Sequence, residues 1–201
     1  MVPILQRPDL ELSSESLLKA KVNLSCVLTG ALIWLAVGIL FEQLTFLEHT
    51  DRIHMLYMPA GIRLAIVLIF GVWGALGIAL ATPLLLLMEY GGYSPALLIL
   101  HALISGFVAL LTVRAVQYLA GIDRNLGNLK PLHLPYLAFA VSATISLAYT
   151  IKFHLTGEVH DHEFLPCLAG MMLGEFTGCM AVLITLRFSC WLIGGRRVNS
   201  H

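Results

Sequence analysis

Tyr57-Met58-Pro59-Ala60-Gly61-Ile62-Arg63 leads directly into an apolar run of 25 residues, Leu64 to Met88, that carries no charge. About 18 or more such residues in a row are enough to cross a bilayer as a helix. The stretch therefore points to a membrane-spanning segment with an arginine in its first turns. An ionised side chain in the middle of a membrane helix costs about 2.5–3.5 kcal/mol on insertion scales, so it is kept facing a cavity or a partner rather than lipid. Arg63 is the first residue for which a function has to be sought.

The rest of the chain agrees with this class. With 58% hydrophobic and 12% charged residues and a mean hydropathy of +0.85, its 201 residues hold more apolar surface than a soluble domain can bury. Residues 1–21 contain Arg7, Asp9, Glu11, Glu15, Lys19 and Lys21 around no apolar core. That excludes a cleavable signal peptide and predicts a cytoplasmic leader. Five apolar blocks follow: Val22 to Phe41, Ala60 to Tyr90, Ala96 to Val113, Leu134 to Ile151 and Phe164 to Gly195. As one helix the second block would be about 46 Å long against a hydrocarbon core of about 30 Å. Gly71, Gly74 and Gly77 around Trp73 predict a tight turn that divides it into two short spans, Ala60 to Val72 and Ala75 to Tyr90. The expected fold is all-α, a polytopic membrane bundle of about six helices. It forms one domain over 22–195, and a cytoplasmic tail covers 196–201. This topology puts nine basic residues inside and leaves Arg52, Arg63 and Lys152 outside, the asymmetry expected of a multi-pass inner-membrane protein with both termini cytoplasmic. Cys26, Cys167, Cys179 and Cys190 form no CxxC pair and read as small buried thiols.

On this map Arg63, His101 and Glu175 come from three helices and fall at similar depth in the outer half of the membrane, with Tyr57 at the mouth of the Pro-Gly turn. Two readings stay open. An Arg63–Glu175 ion pair would fix helix packing, with His101 bonded to a backbone carbonyl. A ligand pocket would use the planar fork of Arg63 for a carboxylate or phosphate, aided by the backbone N–H groups of the helix start after Pro59. Gly170, Gly174 and Gly178 make a row on one helical face that lets helices approach closely around Glu175.

The outward loops hold His49 and His54, then His154, His160 and His162 with Glu158, Asp161 and Glu163. His154, His160 and His162 are the metal candidates, but the spacing lacks the pattern of a helical zinc site, and no metal or other cofactor is expected. Ser105, Ser142 and Ser146 have no base at adjacent spacing and read as packing hydroxyls, so no enzymatic activity is expected. No phosphate-cradling loop and no nucleic-acid-binding patch occurs. The soluble stretches are about 20 residues at most, too short for a core of their own.

Residues 57–85, with the aromatic-Pro-small-Gly opening, the glycine ending the first helix at Gly71 and a second glycine-containing helix from Gly74, resemble the start of the bacterial membrane-associated sensor domain that precedes histidine kinases and diguanylate cyclases. The chain differs from that pattern at Arg63, where an apolar residue is usual. In size and helix number it is also similar to the substrate-capturing membrane subunits of energy-coupling-factor transporters. These likenesses imply a protein that captures or senses a small anionic ligand from the outward side, in the bilayer and with a separate signalling or transport partner. A transporter subunit for a small solute or metal ion, and a ligand-free scaffold, are the alternatives.

Overall fold

The computed structural model describes residues 8–44, 57–90, 92–123 and 127–198, with side chains described at all of these except 8–14, 42–44, 89–90 and 189–198. In chain order they form α1 (Pro8–Leu44), α2 (Met58–Tyr90), α3 (Pro95–Leu103), a π-helical turn (Ile104–Val108), α4 (Ala109–Leu119), α5 (His133–Leu155), a 3-10 turn (Asp161–Glu163) and α6 (Phe164–Val198). No strand occurs among the described residues. Among the described residues five helical stretches are long and apolar enough to cross a membrane: Glu15–Phe41, Met58–Met88, Pro95–Leu119, His133–Leu155 and Asp161–Phe188. Leu32, Ile69, Leu111, Leu155 and Leu165 are among many large apolar side chains left exposed around them, as contact with lipid requires. Residues 8–21, read from sequence as a leader, continue the first span as the opening turns of α1, and Glu15 and Lys19 pair there at 3.7 Å on an exposed face.

The second span is interrupted at Gly71, whose backbone takes φ +58° and ψ −130°. Only glycine adopts this conformation at little cost. The break reverses the chain. Along an unbroken helix residues 66 and 74 would be about 12 Å apart. Here a Cβ placed on Gly74 would lie 2.7 Å from the Ile66 carbonyl oxygen and 2.9 Å from Phe70 Cβ.

Helix α1 shows the same reversal from outside. Along the first limb, 58–70, Tyr57 meets Phe41 with ring centroids 5.2 Å apart, Arg63 lies 5.8 Å from the Trp34 ring, and Ile66 lies against Gly30. Sequence numbers fall on one helix as they rise on the other, so the two run antiparallel. Along the second limb, 72–90, Gly74 lies at Gly30, Thr82 accepts the Trp34 indole N–H at 3.1 Å, and Leu85 lies at Gly38. This limb runs parallel to α1. Residue 77 must be small, since its Cβ would stand 2.5 Å from the Val27 carbonyl oxygen.

The first limb is also pressed onto α6. The Tyr57 N–H donates to the Gly174 carbonyl at 3.1 Å, a Cβ on Gly61 would be 2.6 Å from the Gly178 carbonyl oxygen, and a Cβ on Gly178 would collide with the Tyr57 carbonyl. Backbone meets backbone because these positions carry no side chain, as small-residue packing between apolar helices predicts. Arg63 and Glu175 sit within a turn of this crossing.

Candidate functional site

Arg63 is almost wholly buried, and its Nη2 donates to both oxygens of Glu175 at 2.5 Å. The two residues are 112 positions apart in sequence. One nitrogen serves both carboxylate oxygens, so the pair is not the two-pronged arrangement in which two guanidinium nitrogens each take an oxygen. Arg63 Nε is consequently buried with no hydrogen-bond partner. Nε and Nη2 share one edge of the guanidinium, the edge a carboxylate or phosphate engages with two parallel bonds. The Trp34 ring covers the cation, and the hydroxyls of Tyr57 and Tyr149 lie within its electrostatic reach.

The helix start supplies fewer donors than its sequence implies. Tyr57 N–H is spent on Gly174, Ala60 N–H is bonded to the Tyr57 carbonyl at 3.1 Å, and Pro59 has none. Recognition of an anion at this point would fall to the guanidinium.

His101 lies on α3, one residue row above the π-helical turn, and is buried. Its Nδ1 is 2.9 Å from the Leu97 carbonyl. A carbonyl only accepts, so Nδ1 is the donor, and in the neutral ring Nε2 is an acceptor. The imidazole stands between Tyr93 and Tyr149, with ring centroids at 5.6 and 5.7 Å. Tyr149 links this histidine to the ion pair: its hydroxyl is 3.3 Å from Ser105 Oγ on the π-helical turn, and it feels the charges of Arg63 and Glu175. Insertion of one residue into a helix, as here, is common at functional positions.

Toward the end of α5 lies a second buried cation. Lys152 Nζ donates to Glu158 Oε1 at 2.9 Å and stands 4.1 Å from the centre of the Phe153 ring. Its charge reaches His101. Glu158 sits on the exposed turn after α5, just past Gly157, and also accepts from the Thr156 hydroxyl at 2.8 Å. Partial burial opposes the Glu158 charge, but the Lys152 and Thr156 hydrogen bonds and the Lys152 charge outweigh it and hold the carboxyl below the ordinary range.

Arg63, Glu175, His101 and Tyr57 are thus gathered around α2, α3 and α6, and sequence reasoning passed over Tyr149, Lys152 and Trp34. A signal for α5 was present. Ser142, Ser146, Tyr149 and Thr150 recur at helical spacing in an otherwise apolar block, a polar stripe that has to face protein. Ser142 and Ser146 are buried on that stripe without a hydrogen-bond partner, Ser142 having only the weak thiol of Cys179 beside it. Cys179 in turn feels the charges of Glu175 and Arg63. The unpartnered polar atoms of α2 and α5 therefore face one neighbourhood.

The histidines behave differently. His154 Nδ1 is 3.2 Å from the Val159 carbonyl oxygen and its Nε2 is 3.5 Å from Asp161, while the His160 and His162 rings stack on each other at 6.0 Å. Among the described residues no group of three or more His, Cys, Asp or Glu side chains is arranged to hold a metal. His49 and His54 lie outside the described residues.

No family model, curated protein or solved structure matches the chain. All that bears on function is the helical architecture and the chemistry of this cluster.

Proposed function

We propose that this is a non-enzymatic bacterial inner-membrane protein that captures or senses a small anionic ligand from the outward side, with Arg63 as its anchor. One observation carries the reading: a buried arginine bonded through a single nitrogen, its Nε unpartnered, together with α5 hydroxyls of which Ser146 lacks a partner and Ser142 has only the weak thiol of Cys179. Buried polar atoms are normally hydrogen-bonded, and an unmet donor costs about 1–3 kcal/mol, more when charged. A carboxylate or phosphate seated at Nε satisfies that donor while Glu175 keeps Nη2, so the two anions share the arginine.

The topology that suits this reading has six spans and both termini in the cytoplasm. The reversal at Gly71 supports it, because the first limb then descends from the outer face and the second returns to it. The excess of basic residues on the inner side points the same way. On this topology His101, Tyr149 and Lys152 lie on the outward side of the cluster.

Thermal unfolding of the detergent-solubilised protein against a panel of small carboxylates and phosphates tests the proposal. A specific ligand at about 100 times its Kd adds about 2.7 kcal/mol of stability. Arg63→Lys is expected to fold and to lose that increment, since an ammonium cannot reproduce the fork. If no anion stabilises the wild type, or if Arg63→Lys responds as the wild type does, the pair is a packing device and the protein a scaffold.

A further inference from the structure

A second polar site lies one to two helical turns beyond Arg63, where the first limb of α2 ends. Where α2 reverses, a cavity of about 300 Å³ is lined by residues 67–71, with Val113, Arg114 and Gln117 from α4. Five consecutive residues of one helix cannot all point side chains into one cavity, since they are about 100° apart around the axis. What they share with it is backbone, at the end of a helix whose final carbonyls have no helical partner and carry the negative end of the dipole. Facing them is Arg114, whose Nη1 donates to Gln117 at 3.0 Å and whose Nη2 would stand 3.3 Å from a Cβ on Gly71. The cavity therefore presents a cation on one wall and carbonyl oxygens on the other.

Its depth and surroundings narrow the ligand further. Arg114 is 19 residues beyond Pro95, about 28 Å along the helix, close to the full thickness of a hydrocarbon core. Measured from Pro95, the cavity thus lies near the far edge of such a core, about 6–12 Å beyond Arg63 along the first limb. Ile69, which lines it, is exposed, as are neighbouring Val72 and Trp73, so apolar surface suited to acyl chains adjoins the polar walls.

We propose that this cavity binds the headgroup of an amino-phospholipid: the phosphodiester on Arg114, the primary ammonium on the carbonyl end of the first limb. A phosphodiester that engages Arg114 leaves the carbonyls to a second cation, which a purely anionic headgroup lacks and which a quaternary amine could not supply as a hydrogen-bond donor. The site is independent of the ligand proposed at Arg63, so either can fail alone.

The test places the purified full chain in nanodiscs or mixed micelles containing phosphatidylethanolamine, phosphatidylcholine or phosphatidylglycerol at equal fraction, and measures retained lipid by native mass spectrometry and thermal stability. Phosphatidylethanolamine is expected to bind about tenfold or more tighter than the other two, the effect of one charge-assisted hydrogen bond. Arg114→Gln should bring its binding down to the level of phosphatidylcholine. Equal binding of the three lipids, or an Arg114→Gln variant that keeps the preference, overturns the proposal. Should Arg114→Gln fail to fold, the wild-type panel still decides, because the lipids share the phosphodiester and differ only in the alcohol it carries. Free O-phosphoethanolamine that stabilises as well as the lipid at equal concentration would overturn the lipid as the source.

Discussion

Arg63 and Lys152 are both sealed cations, with side chains 1% exposed, yet their counter-ions are of opposite kinds. Glu175 is 5% exposed and comes from a transmembrane-length helix, whereas Glu158 is 44% exposed and sits on a turn. The inner pair is thus fixed by two helices packed backbone to backbone, and neither charge has water to fall back on. The outer pair has one partner that can leave. A buried pair is strongly destabilised by loss of one member because the other charge is stranded, while an exposed carboxylate is rehydrated at small cost. The same contact chemistry therefore does two jobs, set by burial.

The largest effect belongs to the inner pair. Arg63→Ala or Glu175→Ala should each cost about 3–5 kcal/mol in denaturant or thermal unfolding, and the double variant should recover much of that loss. Lack of recovery would mean that the two side chains act separately, and the contrast with Lys152 would lose its basis. Next comes the crossing that holds the pair in register. Gly178→Ala sets a methyl against the Tyr57 backbone carbonyl, which cannot swing aside as a side chain would, and about 3 kcal/mol of stability should be lost. A variant as stable as the wild type would show that α2 and α6 can separate without penalty. Gly71→Ala tests the reversal itself. An alanine forced into the left-handed region should cost about 1–2 kcal/mol by the same measurement, and a gain in stability would show that residue 71 is not held there.

The smallest effect is at the outer pair and is seen in pH dependence. Because the folded-state pKa of Glu158 is depressed, its contribution is present above its ordinary value of 4.5 and is lost as pH falls through the folded value. Stability should decline in that acid range, and Glu158→Gln should flatten the decline while lowering neutral-pH stability, because it leaves the sealed Lys152 cation without its carboxylate. A Glu158→Gln variant with the wild-type acid profile would remove Glu158 as the cause.

Much of the fold could be read locally. A composition 58% hydrophobic, the five apolar blocks and the excess length of Ala60 to Tyr90 require only residue type and helix rise, and the glycines at 71, 74 and 77 marked the turn to within a few residues. Arg63, Glu175 and His101 stood out because an ionisable group in an apolar run is costly wherever its partner lies. The polar stripe of α5 was equally legible but was read as packing, since Tyr149 and Lys152 gain meaning only beside His101 and Arg63.

By itself the sequence determined that the chain is helical, that its helices suit a membrane and that a few charged residues need an explanation, because hydropathy and periodicity act over one helix at a time. Only the tertiary structure decided that Arg63 meets Glu175 through one nitrogen, that Lys152 is sealed under an exposed carboxylate, and that a polar cavity lies between the Gly71 turn and Arg114. Those are contacts between helices far apart in the chain, chosen by which small residues let two backbones approach, and helical periodicity sets which face a residue occupies but not what that face will meet.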